Sequence, residues 1–588
     1  MGGEIVKEKV LRFDLKKHPF LFAFVTWLYV FFAFGYFAVD SVTTVNYLVP
    51  AAVAGVFTYL HFAKKERIKH IPEKKRIAPL FALAAVAGSA GMVWCFGHTP
   101  VDDFLNGRSS FIPLAFLFGG LIVYCVVVTI KKKWSVNRIL MCIFLLGLAV
   151  HVFYILTAKL TIAQWDLGSI SGRKEGHLGY IRYMYDNLIP AQFDPRERWQ
   201  YYHPPLHYFI SALVLRFQSL LGVDVITSIY NVQFLSTLYA LIAAVCGCKI
   251  ARELHLRKLP LIISFAIIML SPAFIYVGGF VNNDMLSVMF SMLCVLYTIR
   301  WYKDKRAANI IRIAVFFGLG MLSKMSVALL AFPIAVVFLY ALYKSFRSEK
   351  HKGFGRLFGQ MCAFLGVAAP LSLYWSLRNL IRFGVPIGYI PESIIPEQYI
   401  PQGLAQRLFD YFSIGQYSMP YFNSREYGDP FNEYNPVIAL IKSSATDVGA
   451  SRSITGHTMG LLMFWLTFLL AAAGFIMMIY ILIKKSTMQG IFKVFFAVMY
   501  ITIMYSYISF CIKYPYDCTE QVRYVMLTIV IGAIFIGSGI KQLMKKTQWY
   551  YRFITKATGF VTFAFGLCSV CIVLIIGTTM TINWLLNI

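Results

Sequence analysis

Apolar runs long enough to cross a bilayer as a helix, about 20 residues, recur along the whole chain between short basic loops. They predict helices over 20–39, 46–63, 79–97, 112–130, 139–163, 225–249, 260–280, 284–302, 308–322, 326–343, 356–376, 459–483, 491–512, 523–541 and 557–580. The stretch 308–343 is divided because both of its flanks are strongly basic, so it must cross twice. The expected fold class is therefore all-α, a polytopic membrane protein with about fifteen transmembrane helices. Two intervals break the rhythm, 164–224 and roughly 378–457. Loops of that length in a compact bundle are usually functional.

The first interval contains "GYIRYMYDNLI" and then "WQYYHPPLHYFISALVLRF", Trp199 to Phe217. Were the second of these to span the membrane, the basic "ARELHLRK" that follows would face the wrong side. Both segments are expected instead to be juxtamembrane helices lying flat on the outer surface, with Pro204 and Pro205 in the first turn of the second. There the missing donors cost nothing.

Composition agrees with a membrane protein and excludes an ordinary soluble domain: 59% of the 588 residues are hydrophobic and 14% charged. The net charge of +28 would suit nucleic acid, but 38 of the 55 lysines and arginines sit in alternate loops. That placement orients a membrane protein with its basic loops and N-terminus in the cytoplasm, and it leaves no nucleic-acid surface. The first apolar segment is too long for a signal-peptide core and reads as a retained helix. The eleven cysteines lie mostly within apolar runs and show no metal-binding spacing. No phosphate-binding glycine motif is present, so an energised donor would have to be lipid-borne.

The polar residues gather on the face opposite the basic loops. Asp166 in "QWD" stands where a helix emerges, either as a solvated helix end or as a functional acid. Glu175, His177, Asp186, Asp194, Glu197, His203 and His207 follow. "GGFVNNDML" puts Asn282, Asn283 and Asp284 in a hairpin, and "LSK" puts Lys324 between two short helices, where a charge needs a partner or a function. Arg523 opens the helix 523–541 from the same side and suits either lipid headgroups or a bound phosphate.

Taken in order, "QWD", "YHPPLHY", "SPAFIYVGGFVNND", "LSK" and "YPYDCTEQVRYV" resemble the GT-C superfamily of membrane glycosyltransferases, and within it the protein O-mannosyltransferase and aminoarabinose-transferase group. The resemblance covers about 139–580 and divides the chain into four parts. Residues 1–138 form four extra helices, 139–376 carry core helices and the first outer loop, 377–458 form the second outer loop, and 459–588 complete the core. It implies inverting transfer of a sugar from a polyprenyl-phosphate carrier to an acceptor glycan, lipid or protein at the extracytoplasmic face of the cell membrane. Asp166 matches the family's catalytic acid, a general base on the acceptor hydroxyl. Arg523, then Lys324, would take the leaving phosphate, and His203 would shape the donor pocket. Asp284 matches a second family acid, with Asn283, His177 and Tyr202 in support. This sequence has Trp165 before Asp166 where relatives often show an acidic pair or an aspartate–histidine grouping. A divalent cation (Mg or Mn) on Asp166, Asp284 and His203 therefore stays open, and Glu175 and Asp194 stand as alternative bases. Outside this family, a transporter or lipid flippase for an amphiphilic substrate is the alternative, followed by a ligand-sensing protein. Transporters usually carry internal repeats, and none is visible here.

Overall fold

The computed structural model describes residues 111–157, 164, 166–168, 175–220, 225–347, 353–392, 398–409, 435–446, 454–484 and 486–585. The predicted segments 20–39, 46–63 and 79–97 lie outside them. The helices are α1 (Phe111–Ile130), α2 (Val136–Thr157), α3 (Gly176–Asn187), α4 (Leu206–Leu220), α5 (Val225–Glu253), α6 (Lys258–Met269), α7 (Pro272–Val277), α8 (Asp284–Asp304) and α9 (Ala307–Ser323). They continue as α10 (Ala331–Phe346), α11 (Phe354–Phe383), α12 (Leu404–Phe409), α13 (Pro436–Ala445), α14 (Ile454–Ile483), α15 (Gly490–Lys513), α16 (Leu527–Leu543) and α17 (Trp549–Leu585). No named strand occurs among the described residues, and eight stretches are long and apolar enough to cross a membrane. This is the architecture of a multi-pass membrane protein.

The chain divides into two compact units, residues 1–127 with 217–228, and residues 128–216 with 229–588. The second unit contains every residue discussed below. Within it α9 packs between α8 and α11, α16 lies against α6 and α14, α17 against α2 and α14, and α10 against α15. Polar contacts between the helices add to the register set by apolar packing. His151 reaches from α2 to Phe274 O of α7 (3.2 Å), and Ser264 Oγ of α6 lies 2.8 Å from Ala533 O of α16. Trp301 Nε1 donates to Gln360 Oε1 (2.7 Å), tying α8 to α11.

The structure corrects several expectations. The helix predicted over 260–280 is two, α6 and α7, broken at Leu270–Ser271. A residue that precedes proline is pushed out of the helical region, and Ser271, before Pro272, is extended (φ −66°, ψ 126°). Pro204 and Pro205 are not in the first turn of α4 but immediately precede it, where Pro205 O accepts the Phe209 amide (2.9 Å). Helix α3 buries Gly176 to Ile181 and Met184 inside the protein, whereas α4 keeps an apolar strip, Phe209 and Leu213, exposed. Arg523 does not open a transmembrane helix; it occupies a separate 3₁₀ turn, Val522–Tyr524, ahead of α16. The second long loop contains α12 and α13, neither of which was expected.

Candidate functional site

The backbone at Asp166 is fixed by hydrogen bonds to the start of α3. Its carbonyl accepts the His177 amide (3.0 Å) and Leu167 O accepts that of Leu178 (2.9 Å), so the chain leaving α2 is stitched to the start of α3. The stitching requires two strands of backbone to touch. A Cβ on Gly168 (φ +80°) would lie 2.0 Å from Glu175 O, and one on Gly176 (φ +78°) would lie 2.5 Å from Gly168 N. Only glycine fits both positions. Asp166 itself has φ +58°, a conformation that aspartate tolerates better than most residues.

The turn before α8 is fixed from three directions. Gln164 Nε2 donates to Gly279 O (3.2 Å), while its Oε1 accepts the Val281 amide (2.7 Å). From α5, Gln233 donates to Gly279 O (3.0 Å) and Thr237 to Gly278 O (3.0 Å). Asn282 Oδ1 caps the Asp284 amide (3.0 Å), and Asn283 Nδ2 donates to Ser323 O (2.8 Å), bringing the end of α9 alongside. As a result Asp284, buried in the first turn of α8, faces Lys324 at the end of α9, and the two form an ion pair. The positive end of the α8 dipole adds to the stabilisation of the carboxylate.

A second pair lies beside the first. Arg523 Nη2 is 3.1 Å from Asp166 Oδ2 and donates to Tyr524 OH at 3.0 Å. Side-chain exposure separates the four ions: 2% for Asp284, 6% for Arg523, 13% for Lys324 and 28% for Asp166. Asp166 is thus the member that an incoming molecule can reach. The Tyr524 ring sits under both cations, 5.0 Å from Lys324 Nζ and 5.0 Å from Arg523 Cζ, an attraction between cation and ring that links the two pairs.

A column of rings forms the third side. Tyr201 stacks on Tyr180 (centroids 4.4 Å apart), Tyr180 on Tyr208 (4.0 Å), Tyr208 on His177 (5.8 Å) and His177 on His203 (5.9 Å). Tyr202 tilts against His203 (4.2 Å), and its carbonyl is held by Trp375 Nε1 (2.9 Å). His177 Nδ1 bonds Tyr208 OH (2.9 Å). Burial drives the His177 pKa down to about 4, more than the attraction of Asp166 and Asp284 restores, and burial likewise lowers His203. Both imidazoles are neutral at pH 7.

The eight residues to which the resemblance gives a role at the site (Asp166, His177, Tyr202, His203, Asn283, Asp284, Lys324 and Arg523) line one cavity of about 350 Å³. Its remaining wall is largely apolar, with Met325, Leu329, Val385, Ile390 and Phe510 among the lining side chains. The alternative bases lie elsewhere: Glu175 is exposed, and Asp194 is engaged with Arg196 (2.5 Å). His207 is fully buried and does not line the cavity. Sequence reasoning missed Tyr524 and Trp375; the "RY" pair was the available signal for the first. Asp166 and Asp284 each face their own cation, and among the described residues no group of three acidic, histidine or cysteine side chains is placed to hold a metal ion.

The structure is similar to the oligosaccharyltransferase of Archaeoglobus fulgidus tethered with an acceptor peptide, with 13% identity and a TM-score of 0.39. It is also similar to the apo form of that enzyme, with 14% identity and a TM-score of 0.40. A third likeness is to the same archaeal enzyme, AglB, in complex with an inhibitory peptide and a dolichol-phosphate, with 13% identity and a TM-score of 0.36. In each case the match covers 76% of this chain and 55% or 56% of the other, so the chain spans little more than half the length of those structures. No curated protein matches the sequence. Residues 202–375, which carry Tyr202, His203, Asp284 and Lys324, match the family model of dolichyl-phosphate-mannose-protein mannosyltransferases, the group that the sequence motifs resemble.

Proposed function

We propose that this protein is a membrane glycosyltransferase, moving a sugar from a polyprenyl-phosphate carrier to an acceptor hydroxyl at the outer face of the membrane with inversion at the anomeric carbon. The observation that carries this reading is the meeting of two acid–cation pairs at one end of a cavity whose other wall is apolar. An amphiphile with a phosphate between a sugar and a hydrocarbon tail has the matching polarity. The match over residues 202–375 supports a polyprenyl-phosphate donor; the acceptor class, whether glycan, lipid or protein, stays open.

In this mechanism the acceptor oxygen attacks the anomeric carbon while the bond from that carbon to the phosphate oxygen breaks. The bonding pair leaves with the lipid phosphate, and the acceptor proton passes to Asp166, the most accessible carboxylate of the four ions. Arg523 and Lys324 neutralise the charge that gathers on the leaving phosphate, in surroundings where ionic contacts are strong. Before the donor arrives Arg523 is committed to Asp166. A phosphate that takes over the guanidinium frees the carboxylate to act as base, so the donor binds before the acceptor is activated.

The test is turnover in proteoliposomes supplied with a radiolabelled polyprenyl-phosphate sugar and an extract of cell-envelope acceptors. Release of polyprenyl phosphate with formation of an inverted glycosidic bond is the expected result. Movement of the intact lipid between leaflets without cleavage would replace this reading with a flippase.

A further inference from the structure

The loop that carries Arg523 runs from the end of α15 to the start of α16 and is held from outside the cavity by the second long loop. Ile400 N donates to Pro515 O (2.8 Å), and Val522 N donates to Ser443 Oγ of α13 (3.0 Å). Between these two points Arg407 of α12 forms an ion pair with Glu520, at 1% and 0% side-chain exposure, and its Nη1 donates to Cys511 O at the end of α15 (3.0 Å). Neither residue of the pair lines the cavity. A buried ion pair is seldom the most stable filling for such a space, since desolvation cancels much of the attraction, but removing one partner is costly because the other charge is stranded. Glu520 stands three residues before Arg523.

We infer that Arg407 is a positioning residue for Arg523 and acts by engaging Glu520. Arg407 offsets the charge of the Glu520 carboxylate through its Oε1, which keeps that carboxylate from competing with Asp166, or with a bound phosphate, for the Arg523 guanidinium. The inference deepens the glycosyl-transfer reading and rests on it for the ligand, but the mechanical part stands apart from any ligand: the segment 515–526 is ordered by α12 and α13.

The test uses the full-length protein in nanodiscs, with farnesyl phosphate as the probe and hydrogen exchange of peptides within 515–526 as a ligand-free readout. Arg407→Gln strands Glu520, so farnesyl phosphate binding falls about tenfold or more, the weight of one charge-assisted hydrogen bond, and 515–526 exchanges faster. Glu520→Gln strands Arg407, which costs stability, but it leaves no carboxylate to compete for Arg523 and Arg407 does not line the cavity, so binding stays within about threefold of the wild type, and the double variant Arg407→Gln/Glu520→Gln recovers to the same level. A purely structural role would make Glu520→Gln as damaging as Arg407→Gln and the double variant no better than either. That pattern, or wild-type binding in Arg407→Gln, overturns the proposal. If the wild type itself ignores farnesyl phosphate, the glycosyl-transfer reading is what has failed. Exchange then decides the positioning claim: Arg407→Gln must loosen 515–526 and the double variant must protect it again, and unchanged exchange in Arg407→Gln refutes it.

Discussion

Replacing Asp166 with asparagine should separate two roles that the geometry joins in one carboxylate. At 3.1 Å from Arg523 Nη2, the pair has a gross attraction of about 5 kcal/mol at an effective dielectric constant of roughly 20. Asp166 is partly open to solvent, so most of that is offset by hydration, and about 1 kcal/mol net is a reasonable value. In the ground state this net attraction opposes the capture of a phosphate by Arg523. Asparagine keeps the shape, the hydrogen-bond acceptor and the tolerance for positive φ, but it loses the charge and the basicity. Donor affinity should therefore rise by about fivefold, the equivalent of 1 kcal/mol, while the transfer step slows by roughly 10²-fold or more, the usual weight of a general base. Titration of the lipid phosphate, followed by single-turnover transfer from a radiolabelled donor, measures the two effects independently. Weaker donor binding in Asp166→Asn would show that Asp166 holds Arg523 in place rather than restraining it, and near-normal turnover would remove Asp166 from the chemistry.

Further outcomes follow from the same site. Arg523→Lys should impair transfer by about tenfold despite keeping the charge, because one ammonium cannot reproduce the fork that reaches Asp166 and Tyr524 together; Arg523→Ala should be worse, and equal activity in all three proteins would make Arg523 a headgroup contact. Tyr524→Phe removes the hydroxyl at 3.0 Å from Arg523 but keeps the ring under both cations, so a several-fold loss is expected, with a larger one in Tyr524→Leu. With its pKa near 4 in the folded protein against about 6.5 unfolded, His177 binds its proton only on unfolding between those values; it should remove about 1 kcal/mol of stability per pH unit as pH drops from 6.5 to 4, and His177→Gln should make the fall of melting temperature with pH shallower by that share, His203 and His207 supplying the rest. Cysteine placed at Glu175 should react with an impermeant thiol reagent added outside intact cells, above the labelling of the native cysteines, and one at Arg306 should not; the reverse pattern would invert the orientation read from the basic loops.

The long spans were readable because each is an unbroken apolar run between basic loops, and α8, α9 and α15 fall within a few residues of their expected limits. The break between α6 and α7 was obscured because the segment is apolar on every side, so periodicity carries no signal there and only the Ser271–Pro272 step marks it. Six of the cavity residues, Asp166, His177, His203, Asp284, Lys324 and Arg523, could be named because charges and imidazoles stand out in an apolar sequence; Tyr202 and Asn283 came only with the motifs around them. Their supports could not. Gln164, Gln233 and Thr237 are ordinary polar residues in the sequence and acquire meaning only when the 278–284 turn is laid across them. Arg407 and Glu520 lie 113 positions apart, in two different loops whose polar composition resembles any exposed connection, and nothing local announces that both are buried.

The left-handed backbone at Asp166 bears on how this position can be substituted at all. Alanine or glutamate there would meet a steric penalty of about 1–2 kcal/mol before any chemistry is considered, and relaxation of that penalty would pull on the Leu167–Leu178 stitch beneath it. An alanine scan would thus register collapse of the floor as loss of a catalytic group, and glutamate, nominally the mildest change, would mislead in the same way. Glycine is the revealing counterpart: it suits the backbone and deletes the carboxylate, so a sounder scaffold and a silent enzyme would arrive in the same molecule. The shape of the chain favours aspartate, asparagine and glycine at this position, and of the three only aspartate is a base.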